Sequence, residues 1–105
     1  MPRWLPRVLK KIRALAAARR IQFTEKARSE LAQLDLGLDQ SDACDVLANL
    51  GPSDCAGRTI SQSTGEWMYV FKPEVAGTVV YVKAILRARE CRVISFHEQG
   101  GENDG

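Results

Sequence analysis

The spacing of apolar residues changes period at Pro52, and that switch constrains the fold more than any other feature of the chain. Before it, apolar side chains recur every three to four residues; after it, they alternate. Leu5, Val8, Leu9, Ile12, Leu15 and Ala16 form one helical stripe, with Pro6 near its start where a missing N–H costs nothing. The spacing predicts a second helix opened by Thr24 as N-cap, carrying Ala27, Leu31 and Leu34 inward and stopped at Gly37. A third, capped by Asp39 or Ser41, presents Ala43, Val46, Leu47 and Leu50 and ends at Gly51-Pro52.

Beyond Pro52, residues 55–61, 66–73, 77–86 and 91–97 read as strands, separated by turns at Ser63-Thr64-Gly65, Glu74-Val75-Ala76 and Ala88-Arg89-Glu90. Links this short favour antiparallel pairing, because parallel neighbours need long crossovers. The expected fold is therefore α+β: three N-terminal helices packed on one face of a four-stranded antiparallel sheet. The length of 105 residues fits a single domain, expected over residues 1–98. The polar, glycine-rich residues 99–105 are expected to fray. The fourth strand is expected at an exposed edge, open to pairing with a neighbouring chain.

Charge is divided along the chain. Arg3, Arg7, Lys10, Lys11, Arg13, Arg19 and Arg20 fall within the first 24 residues, which hold no acid. Between Arg28 and Arg58 there is no basic residue, while Glu30, Asp35, Asp39, Asp42, Asp45 and Asp54 all occur. A cationic end of this kind draws polyanions such as nucleic acid, or else forms a solvated helix face. Cys44, Cys55 and Cys91 are widely spaced and accompanied by a single histidine, which cannot build a four-ligand zinc site. The odd cysteine count argues for a reducing compartment. No apolar run approaches a membrane span, and no signal-peptide core is present.

Strand parity sorts the second half into two faces. Val80, Val82, Ala84 and Leu86 make an apolar set in the third predicted strand, opposite Val79, Tyr81, Lys83 and Ile85. If the last hairpin turns around Arg89, Tyr81 pairs with His97 and Lys83 with Ser95. Ile94 and Phe96 then join the core, and Tyr81, Lys83, Ser95 and His97 share the open face. Such a set suits cleavage of RNA without a metal. That reaction needs a base for the 2′-hydroxyl, an acid for the leaving 5′-oxygen and cations for the phosphate. Histidine exchanges protons near neutral pH. Lys83 and Arg58 are candidate phosphate ligands, and Tyr81 can donate a hydrogen bond or stack on a base.

The ordered segments Asp35-Leu-Gly-Leu-Asp39, Leu50-Gly-Pro-Ser-Asp54, Trp67, Val70-Phe-Lys-Pro73, Val80-Tyr-Val-Lys83 and Val93-Ile-Ser-Phe96 resemble the MqsR toxin family. The resemblance runs from about residue 8 to residue 98. It implies a RelE-like fold and a toxin of a bacterial type II toxin–antitoxin system, cytoplasmic, cutting messenger RNA as an endoribonuclease (an mRNA interferase). It also implies a helix-turn-helix antitoxin partner like MqsA, no cofactor and no membrane. On this reading the catalytic set is Tyr81, His97 and Arg58, and Lys83, Lys72 and Met68 bind RNA. Tyr81 matches the family's active-site tyrosine. His97 stands where the family has a lysine, and Met68 where it has a glutamine. A further family lysine falls at Gly57 or Arg58, of which Arg58 keeps a cation near the sheet. The alternative is a non-catalytic module of the same fold that binds RNA or protein, favoured by the loss of polar character at Met68.

Overall fold

The computed structural model describes residues 1–100. Helix α1 spans Leu5–Ala17, and all six residues of its expected stripe are buried. A helix of this length gains most of its stability from such a face rather than from intrinsic propensity. Helix α2 spans Glu25–Gln33 behind the Thr24 cap, whose side chain accepts from the Ala27 N–H at 3.0 Å. It stops short of Gly37, because Leu34 turns extended and sinks into the core. Helix α3 spans Gln40–Ala48 and opens with a capping box in which Asp39 and Asp42 accept from each other's backbone N–H.

Six strands form the sheet, not the four expected. They are β1 (Ile21–Phe23), β2 (Cys55–Ile60), β3 (Trp67–Phe71), β4 (Glu74–Val75), β5 (Thr78–Leu86) and β6 (Cys91–Glu98). The order is β1-β6-β5-β3-β2, with β4 paired to β5 alone. The expected four correspond to β2, β3, β5 and β6. Strand β1 is three residues long, too short to show alternation, and runs parallel to β6. Strand β4 arises because the hairpin turns at Ala76-Gly77, both at positive φ (52° and 83°), rather than at Glu74-Val75-Ala76. Two left-handed residues make the tight loop whose twist matches the flanking strands.

The fourth expected strand is not at an exposed edge. β6 lies between β1 and β5. Where it outruns β1, α2 closes its side. The Phe96 N–H donates to Glu30 Oε1 at 2.9 Å, and Lys26 Nζ donates to Ser95 Oγ at 2.9 Å. The sheet's terminal strands are β1, which leads directly into α2, and the six-residue β2.

Apolar residues of all three helices meet Tyr69, Phe71, Val80, Val82, Ala84, Cys91, Val93 and Phe96 in one core. Ile94 is absent from it, contrary to the parity argument. The β5–β6 ladder pairs Tyr81 with His97 and Lys83 with Ser95 as expected, then shifts register so that Ala84 meets Val93. Ile94 is the extra residue of that bulge. It sends Val93 and Cys91 inward and leaves Ile94 on the opposite side. Of the tail, Gln99 donates its N–H to the Val79 carbonyl at 2.9 Å; residues 101–105 lie outside the described residues.

Candidate functional site

The face of the sheet turned away from the core is organised in rows that cross the strands. One row holds Tyr81 and His97, directly paired; carrying the β3–β5 register one residue further sets Lys72 across from Tyr81. The next runs Gly57, Val70, Lys83 and Ser95. The third runs Thr59, Met68, Ile85 and Arg92. Tyr81, Lys83 and Ile85 follow one another along β5, so the three rows cover about 13 Å at the ~3.3 Å rise of a strand residue.

Tyr81 and His97 form the centre of this face. Their rings stack with centroids 5.0 Å apart and planes within 10° of parallel. The Lys83 ammonium lies 5.9 Å from the centroid of the Tyr81 ring. His97 Nδ1 is 3.0 Å from the Glu98 carbonyl oxygen. A carbonyl only accepts, so Nδ1 carries the proton in that bond and the neutral ring presents Nε2 as a base. All three side chains are half-buried, anchored at one end and open at the other. Lys72 is exposed; its own N–H is tied to the Asp54 carbonyl at 2.7 Å, which fixes the chain where β3 ends.

Ser95 keeps its expected pairing with Lys83 but is only 4% exposed, because Lys26 reaches from α2 to its hydroxyl. It is withdrawn from the open set. Arg58 lies apart from the other candidates. Its partner across the ladder is Tyr69, a core residue, so the register directs Arg58 to the helix side of the sheet, opposite Tyr81 and His97. There its guanidinium lies 3.7 Å from the centroid of Trp67 and 4.9 Å from that of Trp4, and Trp4 in turn packs against Tyr69 at 5.3 Å. A bulge between Cys55 and Gly57 sets this parity. It places Gly57, the other position considered for the family's lysine, on the open face, where no side chain is available.

Sequence reasoning missed a cleft beside these rows. It has a volume of about 450 Å³ and is lined by Met68, Ile85, Ile94, Ser61, Thr64 and Arg92, among others. Arg87 closes one wall and is held by Glu66 through two hydrogen bonds of 3.0 and 3.1 Å. Those bonds hold the Glu66 carboxyl below its ordinary value. Alternation alone puts Arg92 on the same side as Ile94 and Phe96, the expected core side, so only the bulge reveals it as an open-face cation. Among the described residues, no three His, Cys, Asp or Glu side chains gather where they could hold a metal ion. Nor is any helix long and apolar enough to cross a membrane.

Residues 6–98 match the model of a family described as motility quorum-sensing regulator, toxin of MqsA. No curated protein matches the chain.

Proposed function

The chain belongs to the MqsR toxin family, and from that premise we propose that it is the toxin of a type II toxin–antitoxin system, a metal-independent endoribonuclease acting on messenger RNA. The observation that carries this reading is the stacked Tyr81–His97 pair on an open face with Lys83 beside it. One of the pair takes the proton of a 2′-hydroxyl, whose oxygen attacks the adjacent phosphorus. The bond to the 5′-oxygen breaks, and the other partner protonates that oxygen as it leaves. The products are a 2′,3′-cyclic phosphate and a free 5′-hydroxyl. Lys83 and Lys72 neutralise charge on the phosphate, and Met68 offers an apolar contact to a neighbouring base. The sequence makes Arg58 a catalytic candidate; in this reading, its place beside two indoles on the far face makes it a packing residue instead.

The fold is read as a RelE-like ribonuclease architecture, and the protein as cytoplasmic. Its partner is a helix-turn-helix antitoxin of the MqsA kind, the partner that the family's description names. A non-catalytic RNA-binding module is the competing reading, favoured by the thioether at Met68 where the family has an amide.

The test is cleavage of a long unstructured messenger RNA in EDTA from about pH 5 to about pH 9, comparing the unaltered protein with His97→Ala and Tyr81→Ala. Cleavage should persist in EDTA and fall by roughly 10²–10⁴-fold in either variant, the usual contribution of a positioned acid or base. RNA binding with no cleavage at any pH would establish the non-catalytic module instead. Cleavage indifferent to both substitutions would move the active site elsewhere.

A further inference from the structure

The cleft over the third row has a composition unlike the rest of the open face. Met68, Ile85 and Ile94 give it an apolar floor, and Ile85 is only 4% exposed although it lies outside the main core. Hydroxyls stand at its rim. Thr64 Oγ1 accepts from the Glu66 N–H at 3.2 Å, and its hydroxyl also helps to hold the Glu66 carboxyl low. Ser61, also buried, bonds to Ser63 and to the Thr64 N–H and fixes the loop that carries them.

The two cations at this cleft are not equivalent. Arg87 is committed to Glu66 and approaches Glu90 as well. Arg92 takes part in no hydrogen bond or ion pair of its side chain among the described residues, and its strand position faces it into the cleft. A half-buried guanidinium that makes no hydrogen bond and feels Glu66 only at electrostatic range, set above an apolar floor, is matched by a planar aromatic ligand that carries or adjoins a phosphate. The volume of about 450 Å³ is within the usual range of small-ligand sites.

Position narrows the ligand further. Ile85 stands two residues from Lys83 and four from Tyr81 along the same side of β5, so the cleft continues the line on which the reacting phosphate is placed. We infer that this cleft is a nucleotide subsite: it receives the base of an RNA residue flanking the cut, packed on Met68, Ile85 and Ile94, with Arg92 on the adjoining phosphate. The inference rests on the ribonuclease reading and assigns the part of the site that grips the substrate beside the bond broken.

The experiment separates the two. Binding of a short fluorescent 2′-O-methyl oligoribonucleotide, which cannot be cleaved, is measured by anisotropy against salt for the unaltered protein, Arg92→Gln and Ile94→Ala. Cut positions on a long messenger RNA are mapped for the same three proteins, with circular dichroism melts to confirm folding. Arg92→Gln should weaken binding about tenfold and lower the salt slope by about one, as loss of one phosphate contact does. Ile94→Ala should broaden the set of sequences cut while the protein stays folded. Unchanged binding and unchanged cut positions in both variants, with cleavage intact, would overturn the subsite and leave the ribonuclease standing. Arg92-dependent binding without any cleavage would support the cleft and sink the catalytic reading. No binding by the unaltered protein would overturn both.

Discussion

Arg58 shows how little a residue's type says about its role until its face is known. On the sequence it is a cation near the sheet; in the fold it is clamped between Trp67 and Trp4. Exposed cation–π contacts are worth roughly 0.5–1 kcal/mol each. Arg58→Ala should therefore lower thermal stability modestly while leaving the rate of RNA cleavage within about twofold of the unaltered protein. A melting curve and a cleavage assay on the same preparation check both halves. Loss of cleavage without loss of stability would return Arg58 to the catalytic set. His97 is the reverse case, a lone histidine that the register stacks on Tyr81 on the open face, which makes it a candidate.

At the scale of elements, helix α2 does two jobs at once. Its buried face carries Ala27 and Leu31, and its flank supplies Lys26 and Glu30 to the otherwise unpaired part of β6. The cap that starts it is a single hydroxyl. Thr24→Ala should cost about 1 kcal/mol in a urea unfolding series. It should also speed hydrogen exchange at the Phe96 amide, whose partner Glu30 sits on the same helix. An unchanged midpoint would show that the cap is dispensable. The three helices and four of the strands were legible because each holds one period for long enough to be seen. β1 and β4 were not, since three and two residues cannot display alternation. The Tyr81–His97 pairing was legible from equal index sums, and so was Lys83–Ser95. The bulge at Ile94 was not, because Arg92, Val93 and Ile94 look regular in sequence and only the packing of Val93 and Cys91 against the helices selects the shifted register. That one residue hid both Arg92 and the cleft.

For the molecule as a whole, ionisation limits stability on both sides of neutrality. Glu66 is held low by its hydrogen bonds to Arg87, and Asp39 by the backbone N–H of Asp42. Their contributions are complete above the ordinary carboxylate values and disappear as pH falls through the lowered ones. Cys91 is the opposite case: burial pushes its thiol from an ordinary value of 9.0 to about 12. Its contribution is whole below 9.0 and is lost as pH rises toward 12. Burial also raises Cys44. The melting temperature should hold a plateau around neutrality, falling in acid and again in the alkaline range. Cys91→Ala should flatten the alkaline limb and spare the acid one; an unaltered alkaline limb would assign that loss to other groups. Finally, the sheet's two borders differ. β1 is short and merges into a helix, whereas the six-residue β2 ends the other side, paired to β3 along one side only. If two copies join through β2, each consumes the other's longer border among the described residues, and the assembly closes as a symmetric pair. Joined in this way, the pair leaves only the three-residue β1 borders for further strand addition.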